Sequence, residues 1–162
     1  MAKNNNKIKN IFVNFVATFA YIGYLPVFPG TWASIFTLPI AFYFMQADYF
    51  LNYLYLIYFF LIIGIWVSTE YDKLYKTEDA SQIVIDEFVG QLIALLPIFF
   101  YAKTNLLFYF LGLVLFRLFD IGKFFGINRT QKLPAGFGVM LDDVLAGIYS
   151  SIILWVIIWQ AS

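Results

Sequence analysis

The sequence contains neither cysteine nor histidine among its 162 residues. Without cysteine, a disulfide framework and thiolate chemistry are excluded. Without histidine, Ser-His-Asp hydrolases and histidine-dependent phosphatases are excluded, and most zinc sites lose their usual ligands. The side chains that remain for chemistry are carboxylates, lysine, arginine and hydroxyls, together with any hard metal ion that oxygen atoms bind.

Charge is also scarce, because charged residues make up 12% of the chain and hydrophobic residues 62%. Such a composition argues against a soluble globular protein and favours a membrane protein. The formal net charge is zero, so no basic face for a nucleic acid is expected. The length suits a single domain over residues 1–162, and no feature of the sequence indicates an obligate protein partner.

The hydrophobic pattern predicts an all-α, multi-pass membrane protein with about four to five short membrane helices. Residues 1–6 are polar and are expected to be disordered. From Lys7 to Ile22 a polar residue recurs every three or four positions, which favours an amphipathic helix in the membrane interface over one that spans. The lysines before it suggest a signal peptide, but no A-x-A-like cleavage site follows, so we expect no cleavage.

The expected membrane crossings are Ile35–Met45, Tyr49–Ser68, Val89–Tyr101, Leu106–Phe116 and Val144–Trp159. If the N-terminus lies inside, nine of the ten basic residues also lie inside, and only Lys103 lies outside. These nine are Lys3, Lys7, Lys9, Lys73, Lys76, Arg117, Lys123, Arg129 and Lys132. The arrangement therefore satisfies the positive-inside rule.

The acidic residues collect on the same inner side, although the positive-inside rule does not concern them. Only Asp48 lies outside. The other nine are Glu70, Asp72, Glu78, Asp79, Asp86, Glu87, Asp120, Asp142 and Asp143. A shared site would explain this convergence.

Several residues mark helix ends. The expected N-caps are Thr31 after a Pro29-Gly30 turn, Asp48 before a helix to about Tyr75, and Ser81 before a helix to about Tyr101. Gly126 is expected to end a helix over Leu106–Phe125. The turn before Thr31 either only starts a helix or holds a phosphate on free N–H groups; the turn signals alone favour the first.

The charges near the chain's C-terminal third form a distinctive group. Arg117, Asp120 and Lys123 lie three residues apart on one helix face, and Asp142 and Asp143 are expected to open the next helix. Asp86 and Glu87 form a second adjacent pair, followed by Gly90, which allows close backbone approach. Paired carboxylates facing arginine and lysine suit a divalent metal with a bound phosphate. Interfacial salt bridging is the alternative, but the adjacent pairs favour a metal.

Four separated segments resemble the phosphatidylglycerophosphatase A family, in the family's order. They are Pro29–Ser34 (PGTWAS), Ile83–Gly90 (IVIDEFVG), Phe116–Lys123 (FRLFDIGK) and Gly136–Gly147 (GFGVMLDDVLAG). The resemblance covers about residues 23–150. It implies an all-helical, Mg²⁺-dependent lipid phosphatase that converts phosphatidylglycerophosphate to phosphatidylglycerol. It also implies a phospholipid substrate and a multi-pass protein of the bacterial inner (cytoplasmic) membrane, with its active site on the cytoplasmic face.

The resemblance also implies which residues are functional. The expected catalytic and Mg²⁺-binding residues are Asp86, Glu87, Asp120, Asp142 and Asp143, and the expected phosphate-binding residues are Arg117, Lys123, Thr31 and Ser34. Two departures concern the flanking backbone. Lys123 precedes Phe124-Phe125-Gly126 where the family usually has Lys-Pro-x-Pro, and Ala135-Gly136 replaces a glycine pair.

Two other functions fit part of the pattern. A CDP-alcohol phosphotransferase is also helical and rich in aspartate, but its Asp-Gly…Ala-Arg…Gly…Asp…Asp pattern is absent. A small ion-coupled transporter would place its charges at mid-membrane, whereas here they cluster at helix ends. Whether water or a carboxylate attacks the phosphorus stays open.

The charge count predicts the topology, and the absence of native cysteine makes it testable by labelling. Single Glu78→Cys and Gln131→Cys variants should react with a membrane-impermeant thiol reagent only from the cytoplasmic side. Thr104→Cys should react only from the opposite side. Labelling of positions 78 and 131 from opposite faces would contradict a shared inner site.

Overall fold

The computed structural model describes residues 2–101, 103–123, 133–134 and 136–161. Within these ranges the chain is all-helical and has no strands, which confirms the all-α part of the prediction. The helices are α1 (Ala2–Ala17), α2 (Pro29–Gln46), α3 (Phe50–Tyr75), α4 (Ile85–Ala94), α5 (Ile98–Tyr101), α6 (Leu106–Gly122) and α7 (Gly136–Ala161), with a 3₁₀ turn at Ile22–Tyr24.

Helices α3 and α7 are the two described helices that are long and apolar enough to cross a membrane. In their most apolar 18-residue windows only 17% and 28% of the residues are buried, so most of each helix faces outward. This exposure is unlike that of a core helix in a soluble protein. The count of four to five membrane helices is not confirmed.

Helix α1 differs from the prediction at both ends. It begins at Ala2, whereas the sequence predicted a start at Lys7. It ends at Ala17 rather than Ile22, because Phe19, Ala20 and Tyr21 have positive φ angles of 45°, 55° and 69°. Helix α1 packs on α3, and Lys9 forms an ion pair with Glu70 of that helix.

The three predicted N-caps are not caps in the structure. Helix α2 begins at Pro29 after the left-handed residue Phe28, so Thr31 is its third residue. Helix α3 begins at Phe50, and Asp48 instead pairs with Lys103 across 2.6 Å. Helix α4 begins at Ile85, beyond Ser81.

Other helix ends were also misplaced. The predicted helix to Tyr101 is interrupted between α4 and α5, where Pro97 cannot donate a helical hydrogen bond. Helix α6 ends at Gly122, where Lys123 takes the left-handed conformation at the C-cap. Several predicted features lie outside the described residues. They are the helix stop at Gly126, the departures from the family pattern at Phe124–Gly126 and Ala135, and the basic residues Arg129 and Lys132.

Helix α7 begins two turns earlier than predicted, so Asp142 and Asp143 lie inside the helix and do not open it. Its first residue, Gly136, donates its backbone N–H to Thr69 Oγ1 of α3 at 2.9 Å. A Cβ at Gly136 would lie 2.2 Å from the carbonyl oxygen of Ile65. This close contact fixes where the helix starts.

Helix α4 is the central element, and all its residues except Glu87 are buried. It makes its most extensive contacts with α7. A Cβ at Gly90 would lie 2.7 Å from the carbonyl oxygen of Asp143, and one at Gly147 would lie 2.5 Å from that of Gly90. The close backbone approach predicted at Gly90 is therefore confirmed.

Candidate active site

Three carboxylates meet where α4 and α7 pack together. Asp86 and Glu87 stand in the first turn of α4, and Asp143 faces them from α7. One carboxylate oxygen from each lies within 4.8 Å of those of the other two. Asp86 and Asp143 are 8% and 3% exposed, so the three acids converge in a largely dehydrated space.

The oxygen atoms of this cluster are incompletely paired. Asp86 Oδ1 accepts the backbone N–H of Glu87 at 3.0 Å. Glu87 Oε2 and Asp143 Oδ2 are buried and have no hydrogen-bond partner in the part of the chain that the structure describes. Buried polar atoms are normally paired, and an all-oxygen donor set with unpaired lone pairs suits Mg²⁺. The residues present therefore fit a hard divalent cation.

Arg117 and Asp120 border the cluster from α6. Arg117 Nη1 donates to Asp120 Oδ2 at 2.6 Å and lies 4.0 Å from Glu87 Oε1. Arg117 Nε is buried without a partner among the described residues. These two side chains, three residues apart on α6, form an ion pair that brings a guanidinium group to the edge of the carboxylates.

Lys123 and Asp142 form a second ion pair beside the cluster, with Lys123 Nζ donating to Asp142 Oδ2 at 2.7 Å. The left-handed backbone of Lys123 ends α6 there and faces α7. The two predicted adjacent acids therefore separate in role: Asp143 joins the three-carboxylate cluster, while Asp142 holds a lysine.

The start of α2 completes the site. A Cβ at Gly30 would lie 1.9 Å from Glu87 Oε1 and 3.2 Å from Arg117 Nη1, so the helix backbone touches both side chains. The first N–H groups of an α-helix have no partner within the helix and favour anions. Thr31 is half-buried at this end. Ser34 is fully buried and donates its hydroxyl to the carbonyl oxygen of Gly30 at 2.9 Å.

Burial and neighbouring charge shift the pKa values at the site. Burial raises the pKa of Glu87 to about 8, and the nearby charges of Asp143 and Asp120 act in the same direction. Burial and the charge of Glu87 raise the pKa of Asp86 well above its usual range. Burial alone would lower the pKa of Lys123, but the hydrogen bond to Asp142 and the surrounding acids raise it. The acids thus need a cation or a proton to stay together.

A cavity of about 570 Å³ opens beside these residues, between the end of α3 and the start of α7. Its lining includes Thr69, Asp72, Asp79 and Gly138, the last one turn before Asp142. The charge of Lys123 reaches Asp79, where it opposes the effect of burial, which raises the pKa of Asp79. Asp79 is thus a lining residue of this cavity that also feels the charge of Lys123.

The sequence placed Asp79 on the inner side but not among the expected site residues, and it did not indicate that Gly30 touches Glu87. Asp79 stands in a polar stretch of mixed charge that offers no periodicity. Gly30 belongs to a segment that resembled the family, but its turn chemistry indicated only a helix start. Both depend on packing between distant elements, which local pattern does not specify.

Comparison with known proteins assigns the family. The chain matches the phosphatidylglycerophosphatase A family over residues 15–158 and belongs to it. The prediction from the four segments is confirmed, and with it the assignment of the chain as a phosphatase. No solved structure matches the chain.

Three relatives illustrate the range of this similarity. A Bacteroides thetaiotaomicron protein named as a candidate phosphatidylinositol-3-phosphatase is 34% identical over 85% of this chain and 87% of its own. The Escherichia coli phosphatidylglycerophosphatase A is 29% identical over 83% of this chain and 77% of its own. That of Haemophilus influenzae is 44% identical over 49% of this chain and 47% of its own.

The contact at Gly30 predicts a position-specific loss of activity. The Cβ added in Gly30→Ala should push the side chains of Glu87 and Arg117 away from α2. Turnover should fall by about tenfold or more, since misplacing catalytic groups by about 1 Å can lower the rate on the order of a hundredfold. The measurement is phosphate release together with the thermal midpoint in detergent.

The matched control is Gly112→Ala, whose new Cβ would press on Leu95 at 2.6 Å, away from the carboxylates. It should lower the midpoint while leaving the turnover of the folded fraction near wild type. Equal activity losses in the two variants would mean that Gly30 matters only for packing.

Proposed function

We propose that the protein is a Mg²⁺-dependent lipid phosphatase that hydrolyses the terminal phosphate monoester of phosphatidylglycerophosphate to give phosphatidylglycerol. The observation that carries this proposal is the cluster of Asp86, Glu87 and Asp143 beside Arg117. It combines buried oxygen ligands for a cation with a guanidinium group that can meet phosphate oxygens. Membership in the family supports the same substrate.

Each side chain has a distinct role in this proposal. Asp86, Glu87 and Asp143 would hold Mg²⁺, which when bound would polarise a phosphoryl oxygen and lower the pKa of a water molecule. Arg117 and Lys123 neutralise the phosphoryl oxygens, and the N–H groups at Gly30 and Thr31 add further donors. Asp120 and Asp142 orient Arg117 and Lys123 through the ion pairs described above. Ser34 supports the first turn of α2.

The placement of charge along the bundle supports a lipid substrate. The Arg117–Asp120 and Lys123–Asp142 pairs stand at the C-terminal end of α6, and Glu70, which pairs with Lys9, stands near the C-terminal end of α3. The Lys103–Asp48 pair stands before the N-terminal ends of α3 and α6. A bilayer between these two levels would put the carboxylates at headgroup depth, where a phospholipid presents its phosphate. Its acyl chains would stay in the membrane.

The same placement of charged residues at the two ends of the helices supports a membrane topology with five crossings. In this proposal α2, α3, the α4–α5 segment from Val89 to Tyr101, α6 and α7 all cross a bacterial inner membrane, and the site faces the cytoplasm. The shorter crossings need tilted helices or a locally thinner bilayer. Exposed Ile8, Ile11, Phe12 and Phe15 on α1 would lie in the interface beside the site.

A second substrate is suggested by the Bacteroides thetaiotaomicron relative, whose name refers to a phosphatidylinositol 3-phosphate. That lipid also carries a phosphate monoester on a polyol headgroup. The cavity beside Lys123 and Asp79 is the place where the two headgroups would be distinguished. The phosphotransferase and transporter alternatives find no support in the family match.

Phosphate release from defined lipids tests the proposal. The purified full-length protein in mixed micelles should release inorganic phosphate from phosphatidylglycerophosphate when Mg²⁺ is present. The release should stop with EDTA and in Asp143→Asn, which removes one of the three clustered carboxylates. Asp142→Asn should also lose turnover, because Lys123 would lose its partner.

Two comparisons decide the substrate class. A water-soluble phosphate monoester at equal concentration should react far more slowly, because it is not concentrated at headgroup depth. Phosphatidylinositol 3-phosphate should react more slowly than phosphatidylglycerophosphate; the reverse order would assign the inositol lipid instead. Phosphate release that survives EDTA would contradict the metal site.

A further inference from the structure

Gln91 is a buried amide in α4 that the proposed roles do not use. It lies one turn after Glu87 and is 0% exposed. Its Oε1 and Nε2 atoms both lack a hydrogen-bond partner within the described part of the chain. Because an unpaired buried amide is unfavourable and such groups are rare in folded proteins, this one calls for an explanation.

Three other buried polar side chains of the bundle show what is usual. Ser34, Thr37 and Ser150 each donate a hydroxyl to the carbonyl oxygen one turn earlier in their own helix, at 2.9, 2.8 and 2.7 Å. These hydroxyls are satisfied locally and need no ligand. Gln91 has no such bond, although it is longer and better able to reach a partner.

The location of the unpaired atoms is the second observation. Buried side-chain atoms without a partner in the described residues belong to Glu87, Asp143, Arg117, Gln91 and Ser68. The first three belong to the candidate active site. Gln91 stands four residues after Glu87, and residues at this spacing are neighbours on one helix face, with Cβ atoms about 6 Å apart. Gln91 therefore lies on the same face of α4 as Glu87, one turn further along the helix.

We infer that Gln91 is a positioning residue that holds a cation-bound water at this site. Mg²⁺ binds through few carboxylates and keeps several water molecules, which need hydrogen-bond partners of their own. An amide suits this role because Oε1 accepts an O–H while Nε2 donates to a water or carboxylate oxygen. The inference rests on the proposed Mg²⁺ site and adds a neutral side chain to its support.

The test replaces the amide by an apolar side chain of similar size. Gln91→Leu should fold at least as well as wild type in EDTA, because removing unpaired polar atoms relieves a buried cost. MgCl₂ should raise the thermal midpoint of this variant, measured in detergent without substrate, only at higher concentrations than it does for wild type. We expect the half-saturating concentration to increase about tenfold, a shift that loss of an outer partner of a metal typically causes. Phosphate release should show the same shift.

Thr37→Val is the matched control, because it removes a buried hydroxyl that is already satisfied within α2. It should leave the Mg²⁺ dependence unchanged. An unchanged half-saturating concentration in Gln91→Leu would overturn the inference. Gln91→Met serves as a second variant: if both Gln91 variants lose folded protein while Thr37→Val does not, the amide is structural and the inference is also overturned.

The two proposals fail in different ways. If Mg²⁺ raises the midpoint of the wild type but no lipid releases phosphate, the proposed function fails, and the midpoint titration still tests Gln91. If phosphate is released normally and Gln91→Leu titrates like wild type, only the inference on Gln91 fails. If Mg²⁺ does not change the wild-type midpoint at all, the cation site and Gln91's role in it are both wrong.

Discussion

The mutual repulsion of three largely buried carboxylates is the constraint on which this structure depends. Asp86, Glu87 and Asp143 come within 4.8 Å of one another in a space that excludes most water. Like charges at that separation in a low-dielectric interior are strongly unfavourable unless a cation or protons neutralise them. A fold that nevertheless brings them together retains a costly arrangement, and such arrangements are typical of functional sites.

The surrounding elements can be understood as supports for that cluster. Close contact through Gly90 and Gly147 lets α4 and α7 approach until their carboxylates meet, and Gly30 lets α2 reach Glu87. Arg117 and Lys123 come from the end of α6, and each is held by its own acidic partner. The two basic side chains thus stand at the edge of the carboxylate cluster.

The sequence predicted the all-helical fold and the family, because these depend on composition and on short segments with fixed spacing. The roles of the site residues stay a prediction, although the structure brings Asp86, Glu87 and Asp143 together. The sequence did not predict where the helices begin. Helix α7 starts at Gly136 because that residue docks on Thr69 and Ile65, a tertiary contact with no local signal. For the same reason the adjacent acids Asp142 and Asp143 looked equivalent in the sequence. In the structure Asp142 pairs with Lys123, and Asp143 joins the carboxylate cluster. Gln91 followed the pair on α4, but only burial shows that its amide is unpaired.

The most direct test of the central claim is the thermal midpoint of wild type and Asp143→Asn in detergent, each measured in EDTA and in Mg²⁺. Removing one of three repelling charges should leave the variant at least as stable as wild type in EDTA. Mg²⁺ should then raise the wild-type midpoint above that of the variant and change the variant little. A variant that is less stable in EDTA, with equal midpoint shifts on adding Mg²⁺, would contradict a cation-dependent carboxylate centre.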